Sequence, residues 1–235
     1  MQPVIQDRSD QQARMNEALR IDPRRAVVLT IDMQRTYLDA EVGTKVLPAD
    51  EAEAVLATAT RLLEHCRALR VPVIHAYVNR RPVEIAARQG VSRFTTASRE
   101  LDATSRNDDA HRADRLDGSP EAELPASLVR DGDIHIRSKK TTDSYYGTDL
   151  AILLEQTLRP ATVILLGINT ETCVYATTFG TKIRGYQPVI ASDCVGSHRG
   201  TDNSWMALEL MARTIAWVMP SSEIVAKLTA GGRGT

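Results

Sequence analysis

ATVILLGINTETCVYATTFGTKI, residues 161–183, is the stretch whose reading decides the fold. Its first eight residues form a nearly unbroken apolar run rich in β-branched side chains, as suits a strand covered on both faces in a parallel sheet. After Gly167 and Asn169 the pattern turns a corner into a helix-like segment, and Cys173 stands just past that corner. Runs of the same kind recur as AVVLTI (26–31), VPVIHAYV (71–78), IHI (134–136) and QPVIASD (187–193). Between them lie helical patterns. EAEAVLATATRLLEHCRALR (51–70) puts Val55, Leu56, Ala59, Leu62, Leu63 and Cys66 on one face, and NSWMALELMARTIAWVM (203–219) carries a similar spacing to Met219. Strand alternating with helix predicts a right-handed βαβ sandwich.

With 235 residues, the chain fits one domain over 1–235. Lys plus Arg number 29 against 30 Asp plus Glu, so the net charge of -1 gives no reason to expect a nucleic acid or an anionic membrane as partner. An aromatic content of 4% also argues against a base-stacking platform. The start, MQPVIQDRSDQQARM, has neither the basic nor the apolar region of a secretory signal, and no apolar run reaches the roughly 20 residues that span a bilayer. Cys66, Cys173 and Cys194 fit neither a disulfide framework nor a CxxC knuckle, which suits reduced thiols in a cytoplasmic protein. Residues 1–20 read as an N-terminal helical extension and 229–235 as a frayed tail. Residues 79–131 break the rhythm with many Arg, Asp and Ser and read as an insert covering a site.

In an open parallel sheet, ligands bind outside the carboxyl ends of the strands. Three reactive side chains lie there: Asp32 after VVLTI, Lys139 after IHIRS, and Cys173 at the expected start of a helix. Taken singly, each has an ordinary explanation. The Asp caps a turn, Lys139 with Lys140 guards a sheet edge, and the Cys is a small core hydrophobe. Together they supply thiolate-based acyl transfer. The helix N-terminus and the Lys139 ammonium are expected to favour the thiolate, Asp32 to move protons, and backbone N–H groups to hold an oxyanion.

IDMQRTYL (31–38), SKKTTDSYYGTDL (138–150) and LLGINTETCVYATTFGTKIRGYQPVIASDCVGS (165–197) resemble the three blocks of the isochorismatase-like cysteine hydrolases. That group includes nicotinamidases, N-carbamoylsarcosine amidohydrolase, biuret hydrolase and ureidoacrylate hydrolase. The resemblance implies an isochorismatase-like, Rossmann-like three-layer α/β/α sandwich with a mainly parallel sheet of roughly six strands. It also implies a homo-oligomer and an Asp32, Lys139, Cys173 triad, with Lys139 preferred to Lys140 by counting back from SYYGTDL. By the same resemblance a non-proline cis peptide joins Ile168 to Asn169, and the N–H groups of Asn169 and Cys173 form the oxyanion hole.

Departures from the pattern narrow the substrate. Nicotinamidases hold a metal with an Asp and two His. Here LDAEVGTKVLPADEAE has no His and His75 lies inside a strand, so no metal and no cofactor is expected. Tyr37, Tyr145, Arg80 and His198 are the candidate substrate-binding residues, and Arg80, Arg81 and Arg93 offer planar forks for a carboxylate or several carbonyls. His65, His75 and His135 read as structural, and His111 lies in a charged loop. The expected activity is metal-independent hydrolysis of a small amide, carbamoyl or ureido compound with release of ammonia. A nicotinamidase-like ring-amide hydrolase is the alternative within enzymes; a non-catalytic thiol sensor or assembly scaffold is the alternative outside them.

Overall fold

The computed structural model describes residues 5–43, 45–86 and 115–232. Six strands form one sheet: β1 (Ala26–Ile31), β2 (Val73–Val78), β3 (Ile134–Lys139), β4 (Thr162–Ile168), β5 (Gln187–Gly196) and β6 (Trp217–Met219). Every neighbouring pair is parallel, and the order is β3-β2-β1-β4-β5-β6. The chain therefore builds outward from β1 in one direction, then crosses back and builds in the other. β1 and β4 flank the reversal, where α/β sheets open a crevice for ligands.

Both faces of the sheet are covered, as the continuous apolar runs require. Ala26 and Val28 of β1 join one core with Leu62 and Leu63 of α3 (Ala49–Ala68) and with Ile224 and Leu228 of the C-terminal helix Ser221–Gly232. Val27, Leu29 and Ile31 join the other. That second core includes Leu150 and Leu154, at the short helix Leu150–Ile152 and its π-helical continuation Leu153–Leu158, together with Met211 of the helix Thr201–Thr214. In chain order the helices are α1 (Ser9–Ala18), α2 (Arg35–Leu38), α3, α4 (Pro82–Ala86), α5 (Leu150–Ile152), α6 (Tyr175–Ile183), α7 (Thr201–Thr214) and α8 (Ser221–Gly232). The result is a three-layer α/β/α sandwich.

Two boundaries differ from the sequence reading. The helical pattern over 203–219 ends at Thr214, and Trp217–Met219 is an edge strand beside Val189–Ala191 of β5. Pro220 disfavours helical backbone at Met219, and the β-branched Val218 with its aromatic neighbour suits a strand. The supposed frayed tail is helical as far as Gly232. It is held because Gly231 packs against Ile21, where an added Cβ would stand 2.0 Å from the carbonyl oxygen, and because Thr229 Oγ1 lies 3.1 Å from His65 Nε2. Residues 233–235, like 87–114 of the insert, lie outside the described residues. The N-terminal extension forms α1, which docks where Asn16 Nδ2 donates to Val218 O and Trp217 Nε1 donates to Met15 O.

His75 is structural, as its place inside β2 suggests. Asp133 accepts its Nε2–H at 3.1 Å, so Nδ1 accepts from the Thr30 hydroxyl at 2.7 Å. Burial favours the neutral ring and brings its pKa down to about 4 from 6.5, against the pull of Asp133. Between those values the unfolded chain binds more protons than the folded one. Folding stability is therefore expected to fall as pH drops from 6.5 towards 4, with a contribution of up to about 3 kcal/mol from this ring. Urea unfolding across that range, with His75→Gln as comparison, measures the slope; equal slopes in the two proteins would assign it to other groups.

Candidate active site

Asp32 leaves β1 with φ of 51°, a left-handed conformation that Asp tolerates better than most side chains. Its N–H stays in register, donating to Ala76 O at 2.9 Å, while the kink turns the carboxylate along the strand ends. There Asp32 Oδ1 accepts from the Val78 N–H at 3.1 Å and Oδ2 from Lys139 Nζ at 2.6 Å. Both side chains are fully buried.

Lys139 points inward because β3 slips. Pairing between β2 and β3 is regular at Ile74, His75 and Ala76, then shifts so that Val78 faces Lys139. Strict alternation from the buried Ile136 would bury Ser138 and expose Lys139. The irregularity reverses the phase, and burial runs Ile136 in, Arg137 and Ser138 out, Lys139 in. Lys140 goes the other way, reaching Asn79 O and, at 3.0 Å, Glu84 Oε2. The lysine at the chemistry is thus Lys139.

Cys173 arrives from β4. Gly167 has φ of 139°, and a Cβ there would meet Ile31 O at 2.0 Å, so only glycine lets β4 lie this close to the end of β1. The Ile168–Asn169 peptide bond is cis. A π-helical turn, Thr170–Val174, then leads into α6 and carries the cysteine. Lys139 Nζ stands 3.6 Å from Cys173 Sγ, so one ammonium touches both the carboxylate and the sulfur.

The electrostatics depart from the sequence expectation of a lowered thiol pKa. Burial pushes the Cys173 thiol up to about 11, and the Asp32 charge and its hydrogen bond push the same way; Lys139 and Arg115 pull down but do not prevail. The resting group is a neutral thiol with a carboxylate placed to take its proton. Cys66, pushed up by burial to about 12, and Cys194, also raised by burial, sit in the core as inert thiols.

A second set of residues forms beside the cysteine. Asn169 Oδ1 accepts from the His198 backbone N–H at 3.1 Å and from its Nδ1 at 2.8 Å, which assigns the ring proton to Nδ1 and fixes which way the amide points. The His198 ring lies 5.8 Å from that of Tyr37, whose hydroxyl accepts from Arg115 at 3.0 Å. Of the sequence candidates, the structure thus brings together Asp32, Lys139, Cys173, Asn169, His198 and Tyr37. It does not bring Tyr145, which is buried in the core with its hydroxyl 3.0 Å from Thr181 Oγ1 and the Arg184 guanidinium over its ring. Thr181 lies two helical turns beyond the cysteine along α6. Arg81 pairs with Glu84 at the surface. Arg93 and His111 lie outside the described residues. Arg80 acts through its backbone: its N–H donates to Arg115 O, and its carbonyl accepts from Asp117. Arg115 is the functional candidate that the sequence did not mark, a buried cation inside a polar segment with no motif around it.

Among the described residues, no group of three or more His, Cys, Asp or Glu converges as metal ligands would, and no helix is long and apolar enough to cross a membrane. A thiol, a carboxylate and an ammonium meeting at the switch point of an all-parallel α/β sandwich define the class, an α/β protein with a candidate nucleophile on the turn after a central strand. Residues 26–223 match the family model of the isochorismatase domain, and the chain belongs to this family of hydrolases. Among solved structures it is similar to a cysteine hydrolase from Pseudomonas syringae pv. phaseolicola, at 20% identity over 91% of this chain and 96% of that one, with a TM-score of 0.72. An isochorismatase family protein from Burkholderia thailandensis aligns at 20% identity over 90% and 100%, with a TM-score of 0.70. N-carbamoylsarcosine amidase from Thermoplasma acidophilum aligns at 19% identity over 84% and 96%, with a TM-score of 0.62. At these identities the likeness is one of fold. No curated protein sequence gives a significant match.

Proposed function

We propose that the chain is a cysteine amidohydrolase that cleaves the C–N bond of a small amide, carbamoyl or ureido compound. The observation that carries this reading is the single ammonium of Lys139 touching both Asp32 and Cys173. Asp32 takes the thiol proton as Cys173 Sγ attacks the carbonyl carbon, and the N–H groups of Asn169 and Cys173 hold the oxygen as it becomes anionic. The C–N bond then breaks, the proton on Asp32 goes to the departing nitrogen, and ammonia leaves a thioester or thiocarbamate on Cys173. Water attacks that carbonyl, Asp32 accepts its proton, and the returning thiolate is reprotonated. Lys139 keeps its charge beside both partners throughout, so negative charge shifts between carboxylate and sulfur without losing its counterion.

The raised thiol pKa counts against the thiol-sensor alternative, since redox-sensing cysteines are low-pKa, accessible thiolates. A thioether-forming isochorismatase-like reaction has no support in the site, whereas the fold's likeness to an amidase agrees with attack on a carbonyl. We also place the protein in the cytoplasm as a homo-oligomer. The solvent face of α6 and α7 exposes Phe179, Ile183, Trp205, Met206 and Leu210, more apolar surface than a lone monomer usually shows. Light scattering on the purified protein tests that expectation.

The decisive experiment incubates the protein with a panel of linear amides, ureides and nicotinamide, follows ammonia, and examines the intact mass for an acyl or carbamoyl adduct mapped to Cys173. Ammonia from linear compounds with such an adduct supports the reading. Turnover of nicotinamide alone, with stoichiometric metal in the purified protein, favours the ring-amide alternative. No turnover and no adduct on any compound overturns the enzymatic reading.

A further inference from the structure

Arg115 lies where the 79–131 segment returns to the sheet, and its place in the site is built by several contacts. Its carbonyl accepts from Arg80 N–H at 2.9 Å, and the next residue, Leu116, forms an isolated parallel bridge with Arg80, which fastens this return to the residues following β2. Its backbone adopts φ of 55°, a strained conformation for a long side chain that persists only where surrounding contacts enforce it. The residue is 7% exposed, although arginine is among the side chains least often buried. The guanidinium donates to Tyr37 at 3.0 Å and stands 5.7 Å from the centre of that ring. Through Tyr37, His198 and Asn169 it belongs to the wall that ends at the turn bearing Cys173. Its charge is felt at the sulfur itself, where it pulls the thiol pKa down against burial.

We propose that Arg115, steadied by Tyr37, is the specificity-determining residue of this pocket and receives a carboxylate carried by the substrate, so that the amides or ureides turned over are acidic ones. This rests on the cysteine amidohydrolase reading for the reaction, but the recognition step stands apart from it. A guanidinium presents a planar fork that matches two carboxylate oxygens, and in a water-poor pocket the paired bonds fix the far end of a small molecule. A carboxylate seated there leaves the amide or ureido carbonyl at the sulfur. A neutral analogue of the same length is held only by its own carbonyl.

Two alkylating probes that differ in charge test this without requiring turnover. Iodoacetate and iodoacetamide both transfer a two-carbon group to sulfur and release iodide, and mapping the adduct restricts the reading to Cys173. The expected result is that iodoacetate alkylates Cys173 faster than iodoacetamide. Arg115→Gln should lower the ratio of the two rates by about tenfold, Arg115→Lys by less, and Lys140→Ala should leave it unchanged. A purely structural role for Arg115 would change both rates together and leave the ratio alone. That outcome, or a wild-type protein with no preference for iodoacetate, overturns the proposal. The two readings fail separately: a charge-dependent ratio with no ammonia from any amide or ureide keeps the carboxylate subsite and removes the hydrolase. Ammonia release with a ratio indifferent to Arg115 does the reverse.

Discussion

Replacing Cys173 by alanine is expected to remove turnover while leaving the fold in place. The reaction proposed here runs through a bond to this sulfur, and deletion of a nucleophile in a comparable acyl-transfer site lowers kcat by a factor on the order of 10^4 or more. The structural loss is small, since the thiol meets Lys139 at 3.6 Å from a turn that is otherwise held by backbone bonds, among them Thr172 and Val174 N–H to Asn169 O. Losing one sulfur atom and its weak hydrogen bonds costs about 1 kcal/mol, so the melting curve should move by only a few degrees. Ammonia release and thermal unfolding measured on the same preparation separate the two effects; undiminished turnover would show that another group carries the reaction. The native thiol has its own signature. With a pKa pushed up to about 11, alkylation of Cys173 by iodoacetamide should still be rising between pH 8 and 10, where a low-pKa thiolate would already have levelled off.

The second large effect belongs to the buried pair. Asp32→Asn should lower the rate by about 10^2- to 10^4-fold, because the group that takes and returns the proton is gone. It should also destabilise the protein by about 3–5 kcal/mol, since it strands the Lys139 ammonium in a fully buried place. Lys139→Met strands the carboxylate and should cost a similar amount. In the double variant no charge is left unpaired, and stability should return most of the way while activity stays lost. Urea unfolding of the four proteins tests the coupling. Additive losses would mean that the two charges do not depend on each other. Lys140→Ala is the control; its partner Glu84 lies in a partly exposed ion pair worth at most about 1 kcal/mol, and activity should be close to native.

Much of this site was legible in the sequence, for identifiable reasons. Asp32 and the turn before Cys173 announce themselves because apolar runs mark the strands and the ends of parallel strands are where ligands sit. The choice of Lys139 needed the family's SYYGTDL spacing, because the physical cause is a slip between β2 and β3 that has no local sequence signature. Strand β6 hid inside a helical pattern, since three apolar residues at a sheet edge look the same as one more helical turn. Tyr145 stands in a block that suggests the site, but its ring faces the core beneath α6, and side-chain direction in an irregular segment is set by tertiary packing. Arg115 was invisible for the opposite reason, as one arginine among many in a stretch whose periodicity says only that it is polar. The thiol pKa was expected to move down because sequence shows nearby charges and helix ends but not dehydration, and dehydration is the larger effect here.

The strand order has a bearing on how the chain is made. β1 is an inner strand, yet its partner on one side, β4, begins only at Thr162. Until that segment leaves the ribosome, AVVLTI has one edge without a hydrogen-bonding neighbour, the kind of open template on which unfinished chains aggregate. The same pairing that closes this edge carries Gly167 against Ile31 and delivers the turn holding Cys173 beside Asp32. Protection from misassociation and completion of the reactive group therefore arrive in one event, so a fragment ending before residue 162 would lack both.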